Sequence, residues 1–350
     1  MSNSPSRLVI RAPNWLGDAV MALPALASLR AALPQAHITV AAIGSVAAMF
    51  EEDTSARPDA VLTIADRKKE ASILAAGSFD TALLLPNSFR AAWDARRAGI
   101  PERWGVGANF RGPLLTRAIV RMGRPYSAHV GRPFTARHEK RHQSVYYLSL
   151  VRGLGFEAQE TLPRVSVRPP TAARAGALLA KSGVEDGATL VGFAPGAAYG
   201  HAKRWPPDRV AKVVERVARD CHAACVLVGA AGDRDAGREI ESALPSDVRV
   251  VNLIGRTDLR QLIGVLARCA AFVSNDSGAM HLAAALNVPV TAIFGPTDER
   301  VTSPLGHHDV LVHQVFCRPC MLRDCPIDHR CMKGITADAV FAAVSARLHD

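Results

Sequence analysis

Along this chain, short apolar runs bounded by turn residues alternate with longer runs whose apolar positions recur at helical spacing. The pattern is clearest in Ala271–Thr297, AFVSNDSGAMHLAAALNVPVTAIFGPT. It predicts a strand at Ala271–Asn275, a polar turn at Asp276-Ser277-Gly278, a helix over Ala279–Leu286 stopped by Asn287, and a strand at Val290–Phe294. Strands apolar on both faces suit a parallel sheet, and a helical crossover between them makes a βαβ unit. Asp276 or Ser277 can cap the helix, and Gly278 admits close approach to the backbone. A helix N-terminus at the carboxyl end of a parallel strand is an anion site. Ser277 and His281, four apart, share one helix face. The bland alternative is a capped helix with a structural Asp and a surface His.

The same alternation organises the rest. The first half predicts strands at Arg7–Ala12, His37–Ile43, Ala60–Ile64 and Thr81–Leu85, and helices at Asp18–Ala32 and Tyr146–Gly153. Between Arg96 and Lys140 the period fades among Arg, Gly and Pro, and long loops are expected. Proline and polar residues near Pro163–Arg174 interrupt the pattern and place a linker at 166–185. The second half predicts strands at Thr189–Ala194, Ala224–Gly229 and Asp247–Asn252, with helices at Pro207–Asp220 and Asp258–Arg268, before the unit described first. The fold class is therefore α/β: two doubly wound Rossmann-like domains, 1–165 and 186–334, facing a cleft. A final helix in 335–350 is placed to reach back to the first domain. A chain of 350 residues exceeds one ordinary core, in keeping with two domains.

Composition adds three constraints. The N-terminal stretch has no apolar core after a basic start, and no apolar run is long enough to span a bilayer. Seven cysteines without an export signal point to a reducing cytoplasm rather than a disulfide framework. The formal net charge of +10 is concentrated: Arg90–Arg141 carries twelve Arg or Lys against Asp94, Glu102 and Glu139. Such a stretch implies an acidic partner or a solvated basic face. Without interleaved aromatics or finger spacing, nucleic acid is the weaker partner, behind an anionic membrane or a phosphorylated substrate.

Candidate chemistry sits in the loops after the strands, where doubly wound sheets bind ligands. Asn14-Trp15-Leu16-Gly17-Asp18 follows the first strand; Asp18 is either a helix cap or, ionised beside the helix dipole, a general base. Taken alone, the cap is favoured. Pro195 to Pro206 is small and flexible and ends in Lys203-Arg204, as in phosphate cradles, though it is no Walker A sequence. Its alternative is a mobile surface loop. Asp233 follows Gly232 where a carboxylate can take ribose hydroxyls, and Thr257 follows Gly255-Arg256 where a base can lie; both stretches are also common turns. Cys317, Cys320, Cys325 and Cys331, with His329 close by, have metal-ligand spacing. They make either a structural zinc or iron site or a loop of reduced thiols.

In order along the chain, Asn14–Asp18 with Ala22-Leu23-Pro24-Ala25-Leu26, Leu85-Pro86-Asn87-Ser88-Phe89-Arg90, Pro195-Gly196-Ala197 through Lys203-Arg204-Trp205-Pro206, Ser274–Gly278 through His281, Phe294-Gly295-Pro296-Thr297 and the Cys tail resemble the lipopolysaccharide heptosyltransferases. The resemblance covers essentially the whole chain. Residues 197–202 lack the paired Thr of the type I branch, so it is closest to type II. It implies a GT-B glycosyltransferase that transfers, with inversion and without a catalytic metal, from ADP-L-glycero-D-manno-heptose. The implied acceptor is heptosyl-Kdo2-lipid A, at the inner face of a bacterial inner membrane. Carried over by motif, Asp18 is the general base and Lys203 holds the diphosphate, while Asp276, Ser277, Gly278 and His281 surround the donor. Asp233 and Thr257 align more loosely with ribose and base contacts. The basic stretch, including Arg96, Arg97 and Arg103, would then face an anionic acceptor and membrane. The rivals are another heptosyltransferase with a different acceptor, such as a type III or protein heptosyltransferase, and, remotely, a basic metal-binding nucleic-acid protein.

Overall fold

The run RLVIR forms β1 (Arg7–Arg11), buried at all but its first residue. Around it, in a computed structural model that describes residues 4–120 and 142–349, the first unit assembles. Its elements are α1 (Leu16–Ala32), β2 (His37–Ile43), α2 (Gly44–Phe50), β3 (Asp53–Thr54), β4 (Ala60–Ile64), α3 (Glu70–Ala75), β5 (Thr81–Leu84), α4 (Phe89–Arg97), β6 (Glu102–Val106), β7 (Arg117–Ile119), α5 (Gln143–Gly153) and β8 (Val165–Ser166). β3 and β8 pair antiparallel in a small ribbon. The other six strands are parallel, in the order β4-β2-β1-β5-β6-β7. Sheet residues Val9, Ala41, Ala82 and Leu84 meet Leu74 of α3 and Ala92 and Ala95 of α4 in one core. α1 is buried nearly all round and packs on α5.

The second unit, Val167–Asp350, repeats the architecture. It contains α6 (Pro169–Lys181), β9 (Leu190–Ala194), α7 (Pro207–Asp220), β10 (Ala224–Leu227), α8 (Arg234–Ala243), β11 (Val251–Asn252), α9 (Leu259–Ala267), β12 (Ala271–Asn275), α10 (Gly278–Ala285), β13 (Val290–Phe294), α11 (Glu299–Thr302), β14 (His308–Val312), α12 (Arg330–Lys333) and α13 (Ala337–His349). Its parallel sheet runs β11-β10-β9-β12-β13-β14. The core joins Val191, Phe193, Leu227, Val273 and Ile293 to Val210, Val213, Val214 and Val217 of α7 and to Val340, Phe341 and Val344 of α13. Both sheets thus follow the Rossmann order, numbered 3-2-1-4-5-6 within each unit, which reverses direction at β1/β5 and at β9/β12.

Three expectations change. Residues 96–140 do not read as loop throughout: 102–106 and 117–119 are strands, the second at the sheet edge, and Trp104 of β6 is buried although Arg and Gly dilute the pattern around it. Residues 121–141 lie outside the described residues. Most of the stretch taken as linker is α6, where Pro169 and Pro170 open a helix instead of breaking one, because the first turn needs no N–H donor. That helix packs on α9. α13 packs on α7, β12, β13 and β14, so its described partners lie in the second unit.

Candidate active site

In the second unit, the loops after β9 and β12 emerge side by side at the switch point, the place where doubly wound sheets bind ligands. Buried Asn275, the last residue of β12, ties them together. Its Nδ2 donates to the carbonyl of Pro195 (2.6 Å), and its Oδ1 accepts from the backbone N–H of Trp205 (3.3 Å). The β9 loop therefore starts and ends against β12. Between those ends a one-turn 3-10 helix, His201–Lys203, aims Lys203 at the neighbouring loop. Lys203 Nζ donates to Asp276 Oδ2 at 2.6 Å, and this pair is largely buried. The same ammonium lies 4.8 Å from the centre of the Tyr199 ring, a cation–π contact.

Ser277 caps α10. Its Oγ accepts from the N–H of Met280 (3.5 Å) and contacts Ser274 Oγ (3.0 Å). Gly278 opens the helix, His281 is buried on its first turn, and Asn287 follows its end with φ +63°. The Ser277 cap is the outcome of the two caps offered by the sequence; Asp276 instead pairs with Lys203. A cation held in place by a carboxylate, beside a helix N-terminus, suits an anionic leaving group bound through phosphate.

Asp233 stands beside them in the loop after β10, buried and committed. Arg204 donates to its Oδ1 (3.0 Å) and the N–H of Ala230 to its Oδ2 (3.1 Å). It approaches the β9 loop so closely that a Cβ on Gly196 would lie 2.1 Å from its carboxyl carbon. Its carboxylate thus braces the β9 loop. Thr257 is half-buried just before Asp258, the cap of α9, after edge strand β11, two strands from β9.

In the first unit the corresponding loops follow β1 and β5. Buried Arg11 pairs with Glu70 (2.7 Å) and donates to Asn14 Oδ1 (2.8 Å), fixing the turn into α1. Trp15 is the N-cap, with no side-chain capping bond, and Asp18 lies within the first turn. The cap reading of Asp18 is therefore overturned: the helix starts earlier than the sequence suggested. Asp18 Oδ1 accepts from the hydroxyl of buried Tyr147 at 3.0 Å. Burial, reinforced by the negative charge of Asp18, holds the Tyr147 phenol well above its usual pKa, so it remains a donor. Beside it, Tyr146 accepts from Asn87 Nδ2 (2.6 Å). Fully buried Arg111 donates to Asn87 Oδ1 (3.1 Å) and the carbonyl of Val106 (2.8 Å), and burial lowers its pKa to about 10. The β5 loop is thus fixed from below.

The basic surface divides. Arg96 and Arg97 are exposed on α4, but Arg103 folds back, donating to the carbonyls of Leu114 (2.7 Å) and Pro101 (2.9 Å). Among the described residues, no group of three or more His, Cys, Asp or Glu is arranged to hold a metal ion. Cys317, Cys320, Cys325 and Cys331 are free thiols. Cys331 turns into the apolar core, and burial is the chief cause of its raised pKa, with smaller contributions from Cys320, Cys317 and Cys325. The zinc or iron reading of the Cys tail is not supported by this arrangement. Tyr147 and Tyr199 escaped the sequence reading, and Arg204, named there only as the neighbour of Lys203, shows its pairing with Asp233 only through the fold.

Two Rossmann-ordered units with ligand loops at both switch points define a glycosyltransferase of the GT-B class, the fold of solved heptosyltransferases. The solved structure of Escherichia coli ADP-heptose lipopolysaccharide heptosyltransferase II matches with a TM-score of 0.80 and 28% identity, covering 98% of each chain. Lipopolysaccharide heptosyltransferase 2 of Salmonella typhimurium is 32% identical over 314 residues, 86% of each chain. The enzyme of the same name from Escherichia coli K12 is 32% identical over 313 residues, again 86% of each. The profile of glycosyltransferase family 9 (heptosyltransferase) matches residues 68–330, and the chain belongs to that family.

Proposed function

We propose that this glycosyltransferase moves L-glycero-D-manno-heptose from ADP-heptose to the first heptose of heptosyl-Kdo2-lipid A, with inversion at the anomeric carbon. The first unit takes the acceptor and the second the donor. The observation that carries the reading is the Lys203–Asp276 pair at the head of α10. A diphosphate placed there meets an ammonium and the free N–H groups of a helix start, which stabilise the charge that develops as ADP departs.

In the reaction, the acceptor hydroxyl attacks the anomeric carbon and its proton passes to the Asp18 carboxylate. The carbon–oxygen bond to the β-phosphate breaks with its electron pair leaving on ADP. The transition state is oxocarbenium-like, so the base removes the proton as the new bond forms. Tyr147 orients Asp18 through its hydroxyl. The reaction so written draws on no cofactor.

An acceptor bearing carboxylates and phosphates in an anionic membrane suits the outer face of α4. There Phe89 and Trp93 are 48% and 44% exposed and stacked at 6.2 Å, beside exposed Arg90, Arg96 and Arg97. Aromatics at headgroup depth with cations around them support peripheral contact at the cytoplasmic face of the membrane. No helix of the described residues is long and apolar enough to cross a membrane.

The test is ADP release from ADP-heptose by wild type and Asp18→Asn, with and without heptosyl-Kdo2-lipid A. Acceptor-dependent release that falls about 100-fold or more in a folded variant retaining ADP binding supports the assignment. Unchanged release in Asp18→Asn removes Asp18 from the chemistry. Release only with other acceptors moves the chain to another branch of the family.

A further inference from the structure

The Cys-rich segment has so far no part in the reaction, yet it grips two of the loops that flank Asp276. Buried Arg318 donates to the carbonyls of Gly295 (2.6 Å) and Thr297 (3.1 Å) and pairs with Glu299 (2.6 Å), while the N–H of Met321 reaches the carbonyl of Pro296 (2.9 Å). That fixes the loop after β13. On the other side, the Ala202 N–H donates to the carbonyl of Arg323 (2.9 Å), and the Tyr199 hydroxyl to that of Met321 (2.9 Å). The approach requires a bare backbone: a Cβ on Gly200 would lie 2.3 Å from the Arg323 carbonyl oxygen. The segment therefore straps the β9 loop to the β13 loop, on either side of β12 in the sheet.

The strap also delivers a charge. The Arg323 guanidinium lies 5.3 Å from the centre of the Tyr199 ring, the ring that carries Lys203 at 4.8 Å. Two cations thus share one aromatic plate beside the donor loops. Lys203 is already paired with Asp276, whereas among the described residues no carboxylate is paired with exposed Arg323. A departing diphosphate carries more charge than one compensated ammonium can balance, and a guanidinium suits bidentate contact with phosphate oxygens.

We propose that the Cys-rich segment is a wall of the donor site, with Arg323 as a second cation for the donor's diphosphate and Tyr199 as the platform that sets both cations. This rests on the ADP-sugar reading above. The test is calorimetric binding of ADP, inorganic pyrophosphate and adenosine to wild type, Arg323→Ala and Arg323→Lys, with KM and kcat for ADP-heptose. The expected result is an about 10- to 100-fold loss of ADP and pyrophosphate affinity in Arg323→Ala, with partial recovery in Arg323→Lys and adenosine binding unchanged. The backbone contact of Arg323 survives either substitution, so the strap stays in place. Unchanged ADP affinity, or an equal loss for adenosine, overturns the proposal. If wild type binds pyrophosphate but no adenine nucleotide, and Arg323→Ala loses pyrophosphate, the donor reading fails while the cation site stands.

Discussion

Tyr147 shows at the scale of one residue what the motif could not. Asp18 stood out in the sequence because it follows Gly17 soon after the first apolar run, and Lys203 and Asp276 because each lies beyond a strand within a recognisable motif. Tyr147 lies 129 residues from Asp18, inside a helix whose pattern gives no reason to prefer one Tyr over another. The same holds for Tyr199, whose partner carbonyl lies 122 residues away. Because its phenol is held well above the ordinary pKa, Tyr147 keeps its proton across the working pH range and donates throughout. Replacing it with Phe removes a donor from a carboxylate, which then ionises less readily. Tyr147→Phe should move the acid limb of kcat/KM to higher pH and lower activity by about five-fold, the worth of one hydrogen bond. A pH–rate profile superimposable on that of wild type would separate Tyr147 from the proposed base.

Among elements, continuous apolar strands were legible, edge strand β4 included at its full bounds, and very short or diluted ones were not. β2, β12 and β13 are continuous apolar runs with both faces covered, and they fall where the pattern put them. β11 and β7, with two and three residues, are too short to show a period, and α2 and α3 complete only one or two turns. Caps decide some ends that periodicity cannot. Asp80, before β5, accepts from the N–H groups of Ser6 (2.9 Å) and Arg7 (2.8 Å) and the Ser6 hydroxyl (2.6 Å), pinning the start of β1. Burial opposes ionisation there, but these bonds and one from Thr81 outweigh it, and the Asp80 pKa is lowered. A lowered folded pKa stabilises at neutral pH, and this contribution is lost as pH falls through that value. Asp80→Ala should therefore cost about 1 kcal/mol in urea unfolding at pH 7, limited by solvent screening. The gap from wild type should close in acid; a constant gap would show that the carboxylate charge is not the cause.

For the whole molecule, the surplus of positive charge was plain in the sequence, but its division was not. Arg103 and Arg111 spend their donors on backbone carbonyls, whereas Arg96 and Arg97 stay exposed on the aromatic face of α4. Composition counts charges; only the fold tells which are committed. Binding to vesicles containing anionic lipid should weaken with added salt. It should fall about five-fold for each of Arg96→Gln and Arg97→Gln, near 1 kcal/mol per cation at the surface, with Trp93→Ala weakening it independently of salt. Binding insensitive to both salt and the Arg substitutions would remove α4 from the proposed membrane contact. The short edge strands carry a different consequence. An open sheet exposes unpaired backbone that can recruit a strand from another copy, and very short edges deny it a template. Among the described residues, β7 and β11 end their sheets in this way, and β14 has Arg347 of α13 clasping its Asp309 (2.9 and 3.0 Å). β4, a full five residues at the remaining edge, is where fibrous aggregation of a partly unfolded chain would start.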